Sequence, residues 1–340
     1  MIRIAVVILN WNGLHHLKRF LPSICQYSDA PGTSVIVVDN GSTDDSVEYI
    51  RQTLPEVELI IFSENYGFAP GYYKALKQID AEYFVLLNSD VEVTPGWLEP
   101  LVAAMDADPG VGACMPRMRD YQRREYFEYA GAAGGYIDFF GYPFCRGRLL
   151  SSVEKDTGQY DDNKFIFWAS GACMFVRSMA YFRAGGLDSD FFAHMEEIDL
   201  CWRMRRIGYT VQDIPESIVY HIGGGTLPNN NPHKLYLNYR NNLYLLFKNL
   251  PPSKLVPVIL IRMILDGMSA MAYLLSGTPG FFKAVIKAHL AFYSNIPQLV
   301  RKRIALKGTI GKAHIKEIYP GSILFNFFVR KRRYFSELEW

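Results

Sequence analysis

Four apolar runs near the N-terminus, each ending at or close to a polar turn, constrain the fold of this chain more than any other feature. The runs are residues 3–9, 34–38, 57–62 and 83–87, and helix-like stretches follow the first three. Strands that are apolar throughout and alternate with amphipathic helices are typical of a parallel sheet covered on both faces. We therefore predict an α/β fold with a mostly parallel sheet.

The polar turns after these strands are predicted to meet at one edge of the sheet. Asn10, Asp39, Asn65 and Asp90 lie at or shortly after the strand ends. In open α/β sheets, ligands bind at the carboxyl ends of the strands. The convergence of four turns therefore predicts a ligand site at this edge.

Composition and charge indicate the domain plan. The chain has 340 residues, of which 49% are hydrophobic and 21% are charged, enough for a substantial core. The formal net charge is +2, yet residues 301–340 hold ten Lys/Arg and three Glu, a local charge of +7. We predict a main domain over residues 1–250 and a helical, basic region over residues 251–340. The scattered cysteines and the lack of a signal-peptide pattern favour the cytoplasm.

Two residues are candidates for a metal site. Asp90 follows the fourth strand, where its carboxylate can hold a hard divalent cation together with a diphosphate. An Asp at this place is also an ordinary turn or capping residue, so both roles stay open. His221 ends a later β-branched run just before three glycines, where a neutral imidazole can complete a site with Asp90. A structural role at a strand end is the alternative for His221.

Two turns suit a nucleotide. Asp39 begins the turn Asp-Asn-Gly-Ser and offers a carboxylate to a base or ribose, with a glycine that permits close backbone approach. Residues 65–71, NYGFAPG, form a second glycine-containing loop before a helix. Ordinary strand-to-helix turn chemistry accounts for both loops equally well.

Three acids occur within four residues, namely Glu196, Glu197 and Asp199. Such acids repel one another and are costly to bury alone, so they need a cation, a solvated edge or a helix N-terminus. Helix electrostatics is one explanation, because three arginines follow within residues 203–206. The functional explanation is a general base that accepts the proton of an acceptor hydroxyl.

Six segments occur in order along the chain: VVILNWNG, VVDNGSTDDS, NYGFAPG, LLNSDVEV, GACMFVR and FFAHMEEIDLCWRMRRIGY. Together they resemble the family 2 glycosyltransferases, especially bacterial rhamnosyltransferase-like enzymes that build surface polysaccharides. The resemblance covers residues 1–250. It implies a GT-A fold, a Rossmann-like mixed sheet, mostly parallel, with helices on both faces and a helical C-terminal appendage. It also implies inverting, metal-dependent transfer of a sugar from a nucleotide-diphosphate donor to an acceptor hydroxyl.

The resemblance further implies roles for individual residues. The donor-binding set is Asn10, Asp39, Asn40, Asn65, Gly67, Asn88, Ser89, Asp90 and Arg240. Within it, Asp39 would recognise the base. Asp90 and His221 would hold Mg²⁺ or Mn²⁺, and Glu197 would be the catalytic base.

Two positions depart from the family pattern. Asn88 stands where the DxD element of the family has its first acid, which leaves the metal with fewer carboxylates. The base position holds Glu197 in place of an aspartate, so Glu196 and Glu197 could exchange roles. The QxxRW signature of processive synthases is missing from the sequence, which predicts a single addition per encounter.

The expected partners are a UDP-, GDP- or dTDP-sugar donor and a glycan or lipid-linked acceptor, with no nucleic acid. A sugar nucleotidyltransferase is an alternative, but it should show a GxGTR-like loop where this chain has Trp11-Asn12-Gly13. A non-catalytic nucleotide-sugar-binding module is another alternative. It leaves the clustered acids and His221 without a shared purpose.

The C-terminal region suggests contact with a membrane. Residues 255–275 are apolar and long enough to span a bilayer, but Arg262 and Asp266 on one helical face argue against a simple span. With the basic residues that follow, they favour helices lying on an anionic leaflet, at the cytoplasmic face of the inner membrane. A packing helix or a dimer interface is the alternative.

Overall fold

The computed structural model of the chain describes residues 2–223, 231–309 and 315–340. Of the three glycines predicted to follow the strand that ends at His221, Gly224 and Gly225 lie outside these ranges. The strands are β1 Ile2–Asn10, β2 Thr33–Asn40, β3 Glu58–Phe62, β4 Ala81–Asn88, β5 Val91–Val93, β6 Val111–Asp120, β7 Gly135–Asp138, β8 Pro143–Cys145, β9 Arg148–Leu149, β10 Ser152–Val153, β11 Lys164–Ile166, β12 Cys173–Arg177, β13 Thr210–His221 and β14 Ile318–Tyr319. The α-helices are α1 Leu14–Tyr27, α2 Ser46–Thr53, α3 Phe68–Leu76, α4 Leu98–Ala107, α5 Ser178–Arg183, α6 Glu196–Arg206, α7 Pro232–Asn249, α8 Pro252–Leu275 and α9 Pro279–Ala305. A short 3₁₀ turn, Ser189–Phe191, precedes α6.

The parallel half of the main sheet confirms the fold predicted from the apolar runs. β3, β2, β1 and β4 lie side by side and parallel. The centres of β1, β2 and β4 are apolar because the sheet is covered on both faces there, and Val6 in β1 is completely buried, whereas the edge strand β3 is partly exposed. Burying each such valine or leucine stabilises the fold by roughly 1.5–3 kcal/mol. At the carboxyl edge, Asn10 lies opposite Asp39, and Leu9 lies opposite Asn88.

The other half of the sheet is mixed and differs in detail from the prediction. β12 lies antiparallel between β4 and β6, and β13 runs parallel to β6. The sequence over residues 165–176 predicts one strand with a small-residue break at residues 169–172. The structure has two strands there, β11 and β12, separated by a segment that includes a turn at Gly171-Ala172. The sequence also predicts two short strands, over residues 211–215 and 217–221. In the structure they form the single strand β13, with a register shift between Ile214 and Ile218. Pro215 lies in this shift and has no amide hydrogen to donate to the ladder.

Residues 120–165 are rich in Gly, Tyr, Phe and Arg without clear periodicity, which predicts a long loop or an insertion. In the structure they carry most of a second, smaller sheet. Within the described chain its strand order is β10-β9-β8-β7-β14, and β14 comes from the C-terminal region. Strands of two to four residues are too short to show alternation in the sequence, which is why the prediction of a loop is wrong. Trp340 and Phe335 pack on Tyr136, with ring centroids 4.9 and 5.3 Å away.

The C-terminal helices dock on the sheet domain through α7. This helix contacts α6, α8 and α9, so contacts cross residue 250, and the division of the chain there stays a prediction. On α8, Arg262 donates to the Phe140 carbonyl at 3.1 Å, and Asp266 lies 3.2 Å from Nε2 of His289. The two charges on α8 are therefore buried against the protein.

The opposite face of α8 is apolar and exposed. Its exposed residues are Val256, Leu260, Ile261, Ile264, Met268, Met271, Leu274 and Leu275. Among the described helices, only α8 is long and apolar enough to cross a membrane by length and composition. α8 therefore packs one face against the protein and exposes an apolar face on the other side.

Candidate active site

The ends of β1 and β2 build one wall of the site. The side-chain amide of Asn10 donates to Ser42 Oγ at 3.2 Å and lies 3.4 Å from Asp39 Oδ1. The Ser42 backbone amide donates to the other Asp39 oxygen at 2.9 Å. Asn10 and Asp39 are buried, and Asn10 Oδ1 has no hydrogen-bond partner among the described residues. The predicted contact between the two turns is therefore present, and Asp39 is held in a fixed orientation.

The loop after β3 completes this wall. The Asn40 amide nitrogen donates to Asn65 Oδ1 at 3.0 Å and to the Gly67 carbonyl at 3.1 Å. Gly67 has φ +85°, and a Cβ there would lie 2.5 Å from the Phe192 ring. A side chain at position 67 is thus excluded by conformation and by space. Asn40, Asn65 and Gly67 form one connected cluster, as their assignment to a common pocket requires.

The turn after β4 places Asn88, Ser89 and Asp90 beside this wall. The Asn88 backbone amide donates to the Ala172 carbonyl at 2.9 Å, which links the turn to the Ser170–Ala172 bend. A Cβ on Gly13 would lie 2.4 Å from Asn10 Oδ1 and 3.4 Å from Ser89 Oγ. The start of α1, at Gly13, therefore packs closely against both Asn10 and Ser89.

Asp90 and His221 lie together in the structure. His221 Nε2 is 3.3 Å from Asp90 Oδ1, and His221 Nδ1 is 3.3 Å from Oε1 of Glu128. Burial lowers the pKa of His221, but the Glu128 and Asp90 carboxylates outweigh it and raise the pKa to about 10. Burial also opposes ionisation of Asp90, and the His221 charge holds the pKa of Asp90 below its usual value.

Asp90 and His221 offer two donor types that a divalent cation takes, although an imidazole must lose its proton before it can bind a metal. One carboxylate oxygen and one imidazole nitrogen face each other, and a second carboxylate lies on the far nitrogen of the ring, as in carboxylate–histidine–metal arrangements. Within residues 2–223, 231–309 and 315–340, no three His, Cys, Asp or Glu side chains form a complete ligand group. The metal role of Asp90 and His221 therefore stays a prediction. Sequence reasoning missed Glu128, which lies in the stretch predicted as a loop.

The acidic pair at the start of α6 lies next to the Ser170–Ala172 bend. A Cβ on Gly171 would be 3.7 Å from the Cβ of Glu197. The Oε2 atoms of Glu196 and Glu197 are buried and have no hydrogen-bond partner among the described residues. Burial raises the pKa of Glu197 to about 7, although backbone amides of the first turn oppose the rise. Burial and the neighbouring Glu197 carboxylate raise the pKa of Glu196 well above its usual value.

Asp199 has a different environment from the other two acids. It is completely buried and accepts from Arg203 Nε, Lys248 Nζ and Asn249 Nδ2, each at 2.8 Å. Burial opposes its ionisation, but Arg203 and Lys248 hold the pKa of Asp199 below its usual value. The structure thus divides the acidic cluster, because the partnered Asp199 ties α6 to α7 while the pair before it keeps free oxygens.

Arg240 and its neighbour Asn241 project from α7 toward the chain that precedes α6. Arg240 donates to the Asp190 carbonyl at 3.1 Å and to the Phe191 carbonyl at 2.9 Å. Asn241 was not among the predicted site residues, because a buried amide within a helical pattern carries no sequence signal. The donor-binding role of Arg240 stays a prediction.

Comparison with known proteins assigns the family. Residues 5–181 match the profile of Glycosyl transferase family 2. The chain therefore belongs to the family 2 glycosyltransferases, as its ordered motifs predict, and is a glycosyltransferase.

Individual relatives agree with this assignment. The chain is 28% identical over 233 residues to the N-acetylglucosaminyl-diphospho-decaprenol L-rhamnosyltransferase of Mycobacterium tuberculosis, covering 64% of this chain and 75% of the relative. It is 24% identical over 161 residues to the rhamnosyltransferase WbbL of Escherichia coli, covering 47% and 60%. A solved mannosyltransferase from Pyrobaculum calidifontis, in complex with GDP-Man and Mn²⁺, superposes with TM-score 0.52 at 17% identity over 89% of this chain and 80% of that one. These likenesses confirm the GT-A fold and a rhamnosyltransferase-like member of the family.

Proposed function

We propose that this glycosyltransferase moves a sugar from a nucleotide-diphosphate donor to an acceptor hydroxyl with inversion at the anomeric carbon, and that Glu197 is the base. One observation carries the proposal. Glu197 has a buried carboxylate oxygen with no hydrogen-bond partner among the residues that the structure describes, and it lies against Gly171 in the bend whose next residue, Ala172, accepts from the Asn88 amide. The Glu197 side chain thus lies against the bend that is hydrogen-bonded to Asn88, in the turn assigned to the donor diphosphate.

The chemistry follows from this placement. The acceptor hydroxyl loses its proton to a Glu197 oxygen as its own oxygen forms a bond to the anomeric carbon. The bond between that carbon and the diphosphate oxygen breaks on the opposite face, which inverts the configuration. A base works best when its pKa is near the working pH, and burial places that of Glu197 at about 7. Burial and the neighbouring Glu197 carboxylate raise the pKa of Glu196, and Glu197 is preferred because it is the acid that lies against Gly171.

The donor is held by the wall described above. Asp39, oriented by Ser42 and Asn10, is proposed to accept from the base of the nucleotide, and the Asn40–Asn65–Gly67 cluster is proposed to line the same pocket. Asp90 and His221 would hold Mg²⁺ or Mn²⁺, which supplies positive charge to the leaving diphosphate. Asn88 would contact the donor through its amide in place of the missing acid.

The acceptor is proposed to be a glycan or a lipid-linked intermediate of cell-surface polysaccharide synthesis. The relative from Mycobacterium tuberculosis, by its name, acts on a diphospho-decaprenol carrier. The exposed apolar face of α8 supports work at a membrane, because contiguous exposed apolar patches mark interaction surfaces. We place the protein at the cytoplasmic face of the inner membrane. High salt should release little of the protein from membranes and detergent should release all of it, whereas recovery in the soluble fraction without either would contradict membrane contact.

The test of the function has two stages. Thermal-shift screening against UDP-, GDP- and dTDP-sugars with and without Mn²⁺ should find one donor class that stabilises, by about 2.7 kcal/mol at a hundredfold excess over Kd. Proton NMR of the product formed from that donor should then show the opposite anomeric configuration. Retained configuration would refute the single displacement, and stabilisation by no donor would refute the nucleotide-sugar assignment.

A further inference from the structure

The chain enters α6 through a segment in an unusual backbone conformation. Phe192, His194 and Met195 have φ values of +64°, +71° and +72°, in the left-handed region that residues with side chains rarely adopt. Such conformations persist only where the surroundings hold them, and they cluster at functional sites. The next residues along the chain are Glu196 and Glu197.

One buried side chain contacts most of this segment. The Asn241 amide nitrogen lies 2.9 Å from the Phe191 carbonyl oxygen, 2.8 Å from that of Ala193 and 2.7 Å from that of His194. Asn241 Oδ1 accepts from Arg240 Nε at 2.9 Å, which fixes which end of the amide faces the carbonyls. Asn241 is completely buried, so water does not compete for these bonds.

The same segment also contacts the donor wall. The Phe192 carbonyl accepts from the backbone amides of Phe68 and Ala69, at 2.9 and 3.1 Å, in the first turn of α3. The Phe192 ring occupies the space that a side chain at Gly67 would need. The segment therefore joins the donor loop to the acidic pair, and Asn241 secures it from the side of α7.

We propose that Asn241 is a positioning residue for the transfer reaction: its amide holds residues 191–195 so that Glu197 faces the acceptor next to the donor. This rests on the proposed role of Glu197 as base. The residue acts through the backbone and touches neither substrate, so its loss should affect the reaction step more than donor binding.

Asn242, the next residue on α7, provides a matched control. It is also buried, and its amide donates to the Gly141 carbonyl at 2.6 Å while its oxygen accepts from Arg262. It makes no described hydrogen bond to residues 191–195. Asn241→Ala and Asn242→Ala thus remove the same side chain from the same helix, but only the first releases the segment.

The experiment measures kcat, donor Kd and amide hydrogen exchange for both variants. Asn241→Ala should lower kcat on the order of a hundredfold, as expected for displacement of a catalytic group by about 1 Å, with donor Kd within about twofold of wild type. Exchange in the peptide covering residues 189–197 should quicken in that variant only. Asn242→Ala should keep kcat. If Asn241→Ala does not fold, Asn241→Gln, which keeps the amide but shifts it by one methylene, should show the same separation of kcat from Kd with a smaller loss.

Two results would overturn the proposal: equal kcat losses in the Asn241 and Asn242 variants, or unchanged exchange in residues 189–197. Failure of the underlying function is separate. Glu197→Gln retaining turnover would remove the base assignment, whereas the exchange result for Asn241 does not depend on turnover.

Discussion

Asp199→Asn tests whether Asp199 has a structural role that is separate from the proposed catalytic role of the pair Glu196 and Glu197. The change keeps the size of the side chain and removes its charge. In the wild type, Asp199 accepts from Arg203 and Lys248, and these side chains are only 6% and 2% exposed. The variant would leave both cations buried with less compensating charge. The new amide nitrogen would also face N–H donors in the place of a carboxylate oxygen that accepts from them.

The expected loss of unfolding free energy depends on which hydrogen-bond partners Arg203 and Lys248 retain in the variant. Breaking a buried ion pair by removing one partner costs about 3–5 kcal/mol. Lys248 retains Asp188 at 2.5 Å, and Arg203 retains the Gly186 carbonyl at 2.7 Å. These remaining partners place the loss of unfolding free energy at the lower end, about 3 kcal/mol.

Urea denaturation followed by tryptophan fluorescence measures this loss. The control is Asp106→Asn, the same change in an ion pair with Arg3 whose side chains are each 42% exposed, where the expected loss is below about 1 kcal/mol. At temperatures where the Asp199 variant is folded, it should still turn over the donor. A variant as stable as wild type but inactive would refute the structural role and move Asp199 into the chemistry.

Four further predictions concern three residues of the site. Glu128→Gln should weaken Mn²⁺ binding about 10–100-fold in a titration, because the carboxylate on Nδ1 orients His221, and unchanged affinity would remove that role. Gly67→Ala should raise the donor KM and lower stability, since the new Cβ would overlap the Phe192 ring and φ there is +85°; wild-type kinetics would contradict the packing. For Glu197, kcat should rise with pH and level off above about 7, because the base must be ionised. The raised pKa also means that the folded state binds this proton more tightly than the unfolded chain, so ionisation destabilises the fold as pH rises through about 7. Glu197→Gln should therefore be more stable than wild type at pH 8 and equal to it at pH 4, and equal stability at both would contradict the buried carboxyl.

The parallel half of the fold could be predicted from sequence because its signals are local. β1 to β4 each contain an apolar run that ends at or near a polar turn, so a parallel sheet with a shared edge follows from general rules of α/β sheets. Asn10 and Asp39 meet across neighbouring strands for that reason.

The small sheet and the roles of Glu128 and Asn241 could not be predicted, because they depend on contacts between residues that are distant in sequence. Glu128 reaches His221 from a stretch whose strands are too short to show a period, and β14 joins that stretch from nearly two hundred residues away. Asn241 reads as one more polar residue in a helix until its amide is seen at three carbonyls.

The acidic cluster shows what the sequence predicts and what depends on contacts between distant residues. The sequence indicates that three acids in four residues need compensation, but only packing decides which of them receives it. Asp199 is the one that meets Lys248, because it lies on the side of α6 that faces α7. Glu197 lies against the Gly171 bend instead, and within the described part of the chain its Oε2 has no hydrogen-bond partner.

The role of Glu197 as base is tested most directly by comparing Glu197→Gln with Glu196→Gln in a transfer assay, with donor binding measured on the same preparations. Glu197→Gln should lower kcat by roughly 10²–10⁴-fold while donor Kd stays near that of wild type, and Glu196→Gln should keep most of its turnover. Full turnover in the Glu197 variant, or loss of turnover confined to the Glu196 variant, would contradict the account.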